Sequence, residues 1–362
     1  MTDTLDATAA VLADMQAVRE RTLGLVAHLD RERLGAVVDP IMSPLDWDLG
    51  HIAAYEDVWL CHRHGDLPLV RDDLAARYDA FETPREVRGD LEILRGDELH
   101  GYLHTVRERA TEVTQERGVD PLLHELVLRH ELQHTETMLQ TMALAGWLPD
   151  GAGRPEAVDG DGMELVDVPA GPFAMGAEPG GFAYDNERDR RDVELPAFCI
   201  GRTPVTNASW LSFSEGGGYV RREWWSREGW AWKEEYDISG HPGALSGGAD
   251  APVVHVSWFE AEAFSRFAGA RLPSEAEWEK AATSDLLEGV GCVWEWTASE
   301  FAAYPGFVAR PYREYSEPFF DRGYRVLRGG SCATHPRVAT TTFRNWDKPL
   351  RRQLFAGVRL AA

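Results

Sequence analysis

The chain has 362 residues, 44% of them hydrophobic and 27% charged, and carries a net charge of −23 at neutral pH. That length implies about two domains of ordinary soluble composition. So acidic a surface repels nucleic acid phosphates and anionic membranes, which excludes both as expected partners.

In the first part of the chain apolar residues recur at three and four, and glycine is sparse. That spacing predicts helices near 6–29, 43–64, 97–117 and 121–145, enough for a four-helix bundle. The last helix has the clearest ends. Asp120-Pro121 supplies an N-cap followed by proline at the first helical position. Leu122, Leu126, Met138 and Met142 recur at helical spacing, and Gly146 stands where a C-cap belongs. Residues 149–162 are rich in turn formers and read as a linker between domains 1–148 and 163–362. Beyond it, short apolar runs alternate with glycine and proline, as expected of an irregular α+β domain. Two helices stand out there, Ser257–Ala268 and Ser274–Ala282. Gly269 stops the first, and Ser274-Glu-Ala-Glu277 forms a capping box for the second.

The four cysteines, Cys61, Cys199, Cys292 and Cys332, contain no Cys-x-x-Cys, so neither a disulfide framework nor a zinc ribbon is expected. The opening residues, Met1-Thr-Asp-Thr-Leu-Asp6, lack a basic segment followed by an apolar run, and no stretch approaches a membrane span. A reducing cytoplasm is the expected location.

Chemistry concentrates in the last predicted helix, at His130-Glu-Leu-Gln-His134-Thr-Glu136. Two histidines at i and i+4 lie on one helix face and can converge on one metal ion. A metal needs a further ligand. His51, after Trp47-Asp48-Leu49-Gly50 on an earlier helix that continues through Ile52, Tyr55 and Trp59, is the best candidate. Glu136 lies two residues past His134, roughly 200° around the helix, and cannot share that face. The plainer alternative is that these are ordinary polar residues on bundle helices.

The second half carries Pro-Ala-Gly-Pro-Phe-Ala-Met-Gly176, Thr203-Pro-Val-Thr-Asn207, Pro252-Val-Val-His-Val-Ser-Trp258, Arg271-Leu-Pro-Ser-Glu-Ala-Glu-Trp-Glu279, Val293-Trp-Glu-Trp-Thr297 and Arg328-Gly-Gly-Ser331. This ordered series resembles the formylglycine-generating-enzyme (sulfatase-modifying factor) domain, a C-type-lectin-like fold. The first half, with His51 and His-x3-His-x-Glu, resembles the DinB-like four-helix bundle. Joined in this order, the two resemble the ergothioneine-type sulfoxide synthases, non-haem iron enzymes that use O2 to join a sulfur donor to hercynine, an Nα-trimethylhistidine. The tail Thr341-Thr-Phe-Arg-Asn-Trp-Asp347-Lys-Pro-Leu-Arg-Arg352 resembles the bacterial branch that uses γ-glutamylcysteine. Two departures stand out. The segment between Ala282 and Val293 is short, and Cys332 follows Arg-Gly-Gly-Ser where an aromatic is more usual.

The resemblance implies a site placed between the two domains. Its implied ligands for Fe(II) are His51, His130 and His134, with Glu136 outside the set. Imidazole ligands suit Fe, Zn, Cu or Ni, so iron rests on the resemblance. For the sulfur donor, γ-glutamylcysteine or cysteine, it implies Arg85, Arg88 and Arg351 on carboxylates and Asp347 on the amine, a use that suits the arginine fork. For hercynine it implies Asn345 and Trp346 around the trimethylammonium end, where an aromatic face is apt, and Gln133 toward the imidazole. Tyr312, with Tyr315 beside it, matches the family's active-site tyrosine, which supplies a proton during oxygen chemistry.

Three other readings compete. A selenoneine-type synthase would take a selenosugar in place of the dipeptide. A formylglycine-generating oxidase needs a cysteine pair, and Cys292 and Cys332 stand on distant segments of the sequence. A non-catalytic thiol- or sugar-binding module would use the same folds as a scaffold.

Overall fold

The computed structural model describes residues 2–243 and 245–362. Contacts divide the chain into two compact units, Met1–Ala152 and Gly153–Ala362.

The first unit is built on helices α1 (Thr2–Val26), α2 (Arg31–Leu34), α3 (Leu45–Glu56), α4 (Gly96–Arg117) and α5 (Pro121–Ala145). The four long ones pack on one another: α1 meets α4 and α5, and α3 meets α4 and α5. α3 continues directly into a π-helical stretch, Asp57–His64, so the single helix expected over 43–64 changes its winding midway. The caps of α5 follow the sequence. Asp120 accepts hydrogen bonds from the N–H groups of Leu122 and Leu123, and Gly146 closes the helix in the left-handed region at φ 71°. Leu126, Met138 and Met142 are buried as their spacing requires, whereas Leu122 at the first turn is exposed.

One feature of the helical core is charged. Arg19 on α1, Glu56 on α3, Arg107 on α4 and Glu131 on α5 are all buried. Arg19 donates to Glu131 at 2.9 Å and to Glu56 at 2.7 Å, and Arg107 donates to Glu56 at 2.6 Å and to Glu131 at 3.2 Å. Thr22 adds a bond of 2.7 Å to Glu131. Each long helix therefore contributes one member of a closed ring of charge-assisted bonds. Burial opposes ionisation of Glu131, but the two guanidinium groups outweigh it and hold its carboxyl below the usual range.

The second unit mixes helix and sheet. β1 (Leu165–Val168) pairs antiparallel with β4 (Phe198–Gly201), and β2 (Gly171–Met175) with β3 (Arg191–Leu195). A four-stranded sheet runs in the order β7 (Asn345–Asp347), β6 (Arg325–Arg328), β5 (Trp294–Glu300), β8 (Ala356–Gly357), with β5 and β8 parallel. Helices α6 (Asn207–Glu215), α7 (Arg227–Glu235), α8 (Trp258–Phe267) and α9 (Glu275–Thr283) complete it. Both expected helices are present, and each opens with a capping box, Ser257 with Glu260 and Ser274 with Glu277.

The signature motifs of this half turn out to be structural. Glu275 receives both arms of Arg344 at 2.8 and 2.9 Å, and Glu295 receives Arg359 at 2.6 and 2.7 Å. Glu279 pairs with the fully buried Arg328. The Arg271–Glu279 run and the Val293–Thr297 run thus present carboxylates to arginines from the C-terminal segments. Such forks suit a domain with much irregular chain, because they fix loop positions that a hydrogen-bonded ladder does not reach.

The turn-rich segment expected as a linker makes defined contacts. Past Gly153 it lies on the second unit: Val158 N–H donates to Asp250 at 3.0 Å, and Thr206 N–H to Asp161 at 3.3 Å. Gly162, at φ +80°, leaves no room for a Cβ, which would stand 2.4 Å from Val205.

Candidate metal centre

α5 carries His130 and His134 on one face, and α3 brings His51 against them. One donor nitrogen from each of the three histidines lies within 4.8 Å of the others. His51 Nε2 and His130 Nε2 are 3.1 Å apart. His51 Nδ1 is 2.5 Å from the carbonyl oxygen of Tyr78. A carbonyl only accepts, so Nδ1 carries the proton and Nε2 presents its lone pair to the cluster. Burial pushes the pKa of both His51 and His130 well below the ordinary value, and the neighbouring histidines add to this. Buried imidazoles that turn lone pairs toward one point form a donor set suited to a divalent metal. Glu136 is buried but lies outside this cluster.

The three histidine rings are held from behind. Trp47 stacks on His51 at 4.8 Å and 13°, and Tyr55 stacks on His130 at 3.6 Å and 7°. His134 Nδ1 lies 3.1 Å from a carboxylate oxygen of Asp48. Gly50 permits this packing, because a Cβ there would fall 2.2 Å from the ring of Tyr78. Sequence reasoning named none of Asp48, Tyr55 or Tyr78 as part of the site. Asp48 had a signal, since an acid three residues before a ligand on the same helix shares its face. Tyr78 acts through its backbone and leaves no trace in its residue type.

Gln133, Arg85 and Arg88 are the remaining candidates of this unit. Gln133 is half-buried on α5. Arg85 is half-buried and donates to the Ile41 carbonyl at 2.9 Å. Arg88 is buried with its guanidinium 3.6 Å above the Trp47 ring. It donates to Ser43 Oγ at 2.7 Å, to Thr83 O at 2.9 Å and to Ala80 O at 3.2 Å. Burial lowers its pKa to about 10. Arg88 therefore braces the wall behind His51, with only part of its fork left for a ligand.

The second unit gathers its own candidates. Tyr312 and Tyr315 stand edge to face at 6.3 Å. Tyr315 stacks on Tyr184 at 4.2 Å and meets Trp346 edge-on at 5.6 Å. Trp346 in turn stacks on Phe301 at 4.2 Å. Asn345, Trp346 and Asp347 form β7, and Asp347 pairs with Arg351 at 3.7 Å. Arg351 Nε and Nη1 are buried and make no hydrogen bond, with Asp347 as the neighbouring charge. Behind the tyrosines, Ser316 donates to Asp185 at 2.5 Å and accepts from Asn186 at 2.9 Å. Tyr184, Asp185 and Asn186 thus anchor the tyrosine segment, a role that sequence reasoning missed.

Cys292 and Cys332 are distant in sequence but adjacent in space, since Cys332 N–H donates to the Cys292 carbonyl at 3.0 Å. The fold brings the start of β5 beside the loop after β6.

Among the described residues, no helix is long and apolar enough to cross a membrane.

Comparison with known proteins places this geometry. The family model of the sulfatase-modifying factor enzyme 1-like domain matches residues 152–288 and 283–362. The two matches meet where the segment between Ala282 and Val293 is short. The hercynine oxygenase of Mycolicibacterium smegmatis is 39% identical, covering 97% of this chain and 98% of that protein. The hercynine oxygenase of Mycobacterium tuberculosis is 40% identical, covering 95% of this chain and 96% of that protein. The formylglycine-generating enzyme of Streptomyces coelicolor is 34% identical but covers only 38% of this chain.

Proposed function

Because this chain belongs to the hercynine oxygenase family, we propose that it is an Fe(II)- and O2-dependent sulfoxide synthase of ergothioneine biosynthesis. It joins the sulfur of γ-glutamylcysteine to C2 of the hercynine imidazole and oxidises that sulfur. The observation that carries the reading is the convergence of His51, His130 and His134 in a chain that is alike over nearly its full length to hercynine oxygenases. We read the first unit as the DinB-like bundle that bears these ligands.

The three histidines would hold the ion. Ferrous iron, when bound, supplies open coordination positions and one-electron chemistry. Everything else falls to side chains. Asp347, Arg351, Arg85 and the uncommitted part of Arg88 take the amine and carboxylates of the dipeptide. Asn345, Trp346 and Gln133 hold hercynine, with an aromatic face against a cation that cannot donate hydrogen bonds. Tyr312 holds the proton that oxygen chemistry consumes. Tyr315, fixed between Tyr184 and Trp346, sets the position of Tyr312.

Aerobic incubation of the Fe(II)-loaded protein with hercynine and γ-glutamylcysteine, followed by mass spectrometry, tests the reading. The expected product is hercynyl γ-glutamylcysteine sulfoxide. A product formed only with a selenosugar would replace the donor. No product with either donor, from protein that binds Fe(II), would overturn the reaction.

Donor recognition has its own test. Arg85→Ala is expected to raise KM for γ-glutamylcysteine by about 10-fold or more, the worth of a charge-assisted bond, and to leave KM for hercynine nearly unchanged. Asp347→Asn acts likewise through the amine. Arg88→Ala shifts the same constant but also loosens the Trp47 wall, so Arg85 is the cleaner probe. Equal effects on both substrates would make these residues structural.

Tyr312→Phe removes a hydroxyl and keeps the ring. Sulfoxide formation is expected to fall by about 100-fold or more, the usual contribution of a proton donor, while oxidation of the thiol to its sulfinate rises. Wild-type sulfoxide output from Tyr312→Phe, with loss in Tyr315→Phe, would move the role to Tyr315.

A further inference from the structure

We propose that Asp48 is a positioning residue of the metal centre, holding His134 in the tautomer that turns Nε2 toward the ion. The inference rests on the reading of His51, His130 and His134 as metal ligands.

Asp48 sits on α3 one turn before His51, so a single helix supplies one ligand and the partner of another. It is fully buried, and one of its oxygens lies 3.1 Å from His134 Nδ1. Its other oxygen, Oδ2, is buried and has no hydrogen-bond donor. A carboxylate cannot donate, so the contact places the proton on Nδ1 and leaves Nε2 as the free donor atom. Metal-binding histidines commonly give their second N–H to such a group, which fixes the ring and strengthens the ligand. His51 is held by the same logic, through the Tyr78 carbonyl, which is neutral. The two ligands therefore differ. His51 is oriented by a dipole and His134 by a carboxylate, which makes His134 the more electron-rich donor of the pair.

Arg88, stacked on Trp47 at 3.6 Å, interacts with Asp48 at longer range and gives its own hydrogen bonds to Ser43, Thr83 and Ala80. Packing alone does not call for a buried acid here, since leaving a carboxylate oxygen without a donor costs stability. The cost is accounted for if the carboxylate serves His134.

The test compares the full-length wild-type protein with Asp48→Asn, a nearly isosteric change, by anaerobic Co(II) titration. Asp48→Asn is expected to bind Co(II) about 10–100-fold more weakly, the usual loss for an outer partner of a metal-bound histidine. Its Co(II) visible bands should shift, and the melting temperature of the metal-free protein should not fall. A second measurement needs no variant. In the Zn(II)-loaded wild-type protein labelled with 15N-histidine, His134 should carry its proton on Nδ1 and bind through Nε2. Wild-type affinity and spectrum in Asp48→Asn, or an Nε2–H tautomer at His134, would overturn the assignment while leaving the metal centre intact. If the wild-type protein binds neither Co(II) nor Zn(II), the metal reading fails first and this inference falls with it.

Discussion

Alanine in place of His51, His130 or His134 is expected to abolish retention of Fe(II) and, with it, turnover. The three donor nitrogens lie within 4.8 Å of one another and come from only two helices. Removing one leaves two imidazoles, a set that competes poorly with water and buffer for a labile ferrous ion. The loss should exceed the 10–100-fold expected for an outer partner such as Asp48. Anaerobic Fe(II) titration followed by desalting and metal analysis reads the effect directly, apart from any activity. Glu136→Gln is the control. Glu136 is buried on α5 but is not a member of the cluster, so this variant should keep most of its iron. The opposite pattern, with iron lost in Glu136→Gln and kept in His51→Ala, would replace the three-histidine centre by one of two histidines and a carboxylate.

The histidine triad was legible because its chemistry is tied to local geometry. His130 and His134 declare themselves by helical spacing, and α5 declares itself by Asp120-Pro121 at one end and Gly146 at the other. His51 was found by its place on a second amphipathic pattern. The groups that contact these histidines were not found, because they act across long stretches of chain. Asp48 reaches His134 over 86 residues, and Tyr78 reaches His51 over 27 and uses only its carbonyl. Helical spacing places Asp48 on the face of His51 but does not report its contact with His134 on another helix. The signature motifs of the second unit show the converse. Arg271–Glu279 and Val293–Thr297 identify the domain at sight, yet their carboxylates serve buried arginines that lie far along the chain. A strong sequence signal there marked folding, while the substrate candidates around Tyr312 and Trp346 occupy less regular segments. The Cys292–Cys332 contact and the docking of residues 153–162 on the second unit escaped for a shared reason. Each is a loop position set by tertiary packing.

Glu131→Gln is expected to lower the unfolding free energy of the helical unit by about 3–5 kcal/mol, the cost of breaking a buried ion-pair network by removing one partner. Glu131 accepts from Arg19, Arg107 and Thr22, and Arg19 and Arg107 also share Glu56. Glutamine keeps the shape but leaves two buried guanidinium groups facing a single carboxylate. Burying four charges is itself expensive, so the ring contributes little compared with an apolar core of equal volume, and its removal in part costs much more than its removal as a whole. A variant with all four members replaced by apolar residues should therefore be more stable than Glu131→Gln, and the comparison separates specificity from strength. The sign with pH follows from the depressed pKa of Glu131. A carboxyl held below its unfolded value contributes fully above that value and loses its contribution as the pH falls through the folded one. The penalty of Glu131→Gln should accordingly be largest near neutral pH and shrink in acid. Urea denaturation followed by helical circular dichroism at neutral and acidic pH measures both quantities. A penalty under about 1 kcal/mol at neutral pH would mean that the network is no stronger than a surface ion pair. A penalty that grew in acid would reverse the assigned protonation state. His130 immediately precedes Glu131, so roughly 100° around α5 separates the side that braces the four helices from the side that gathers the three histidines.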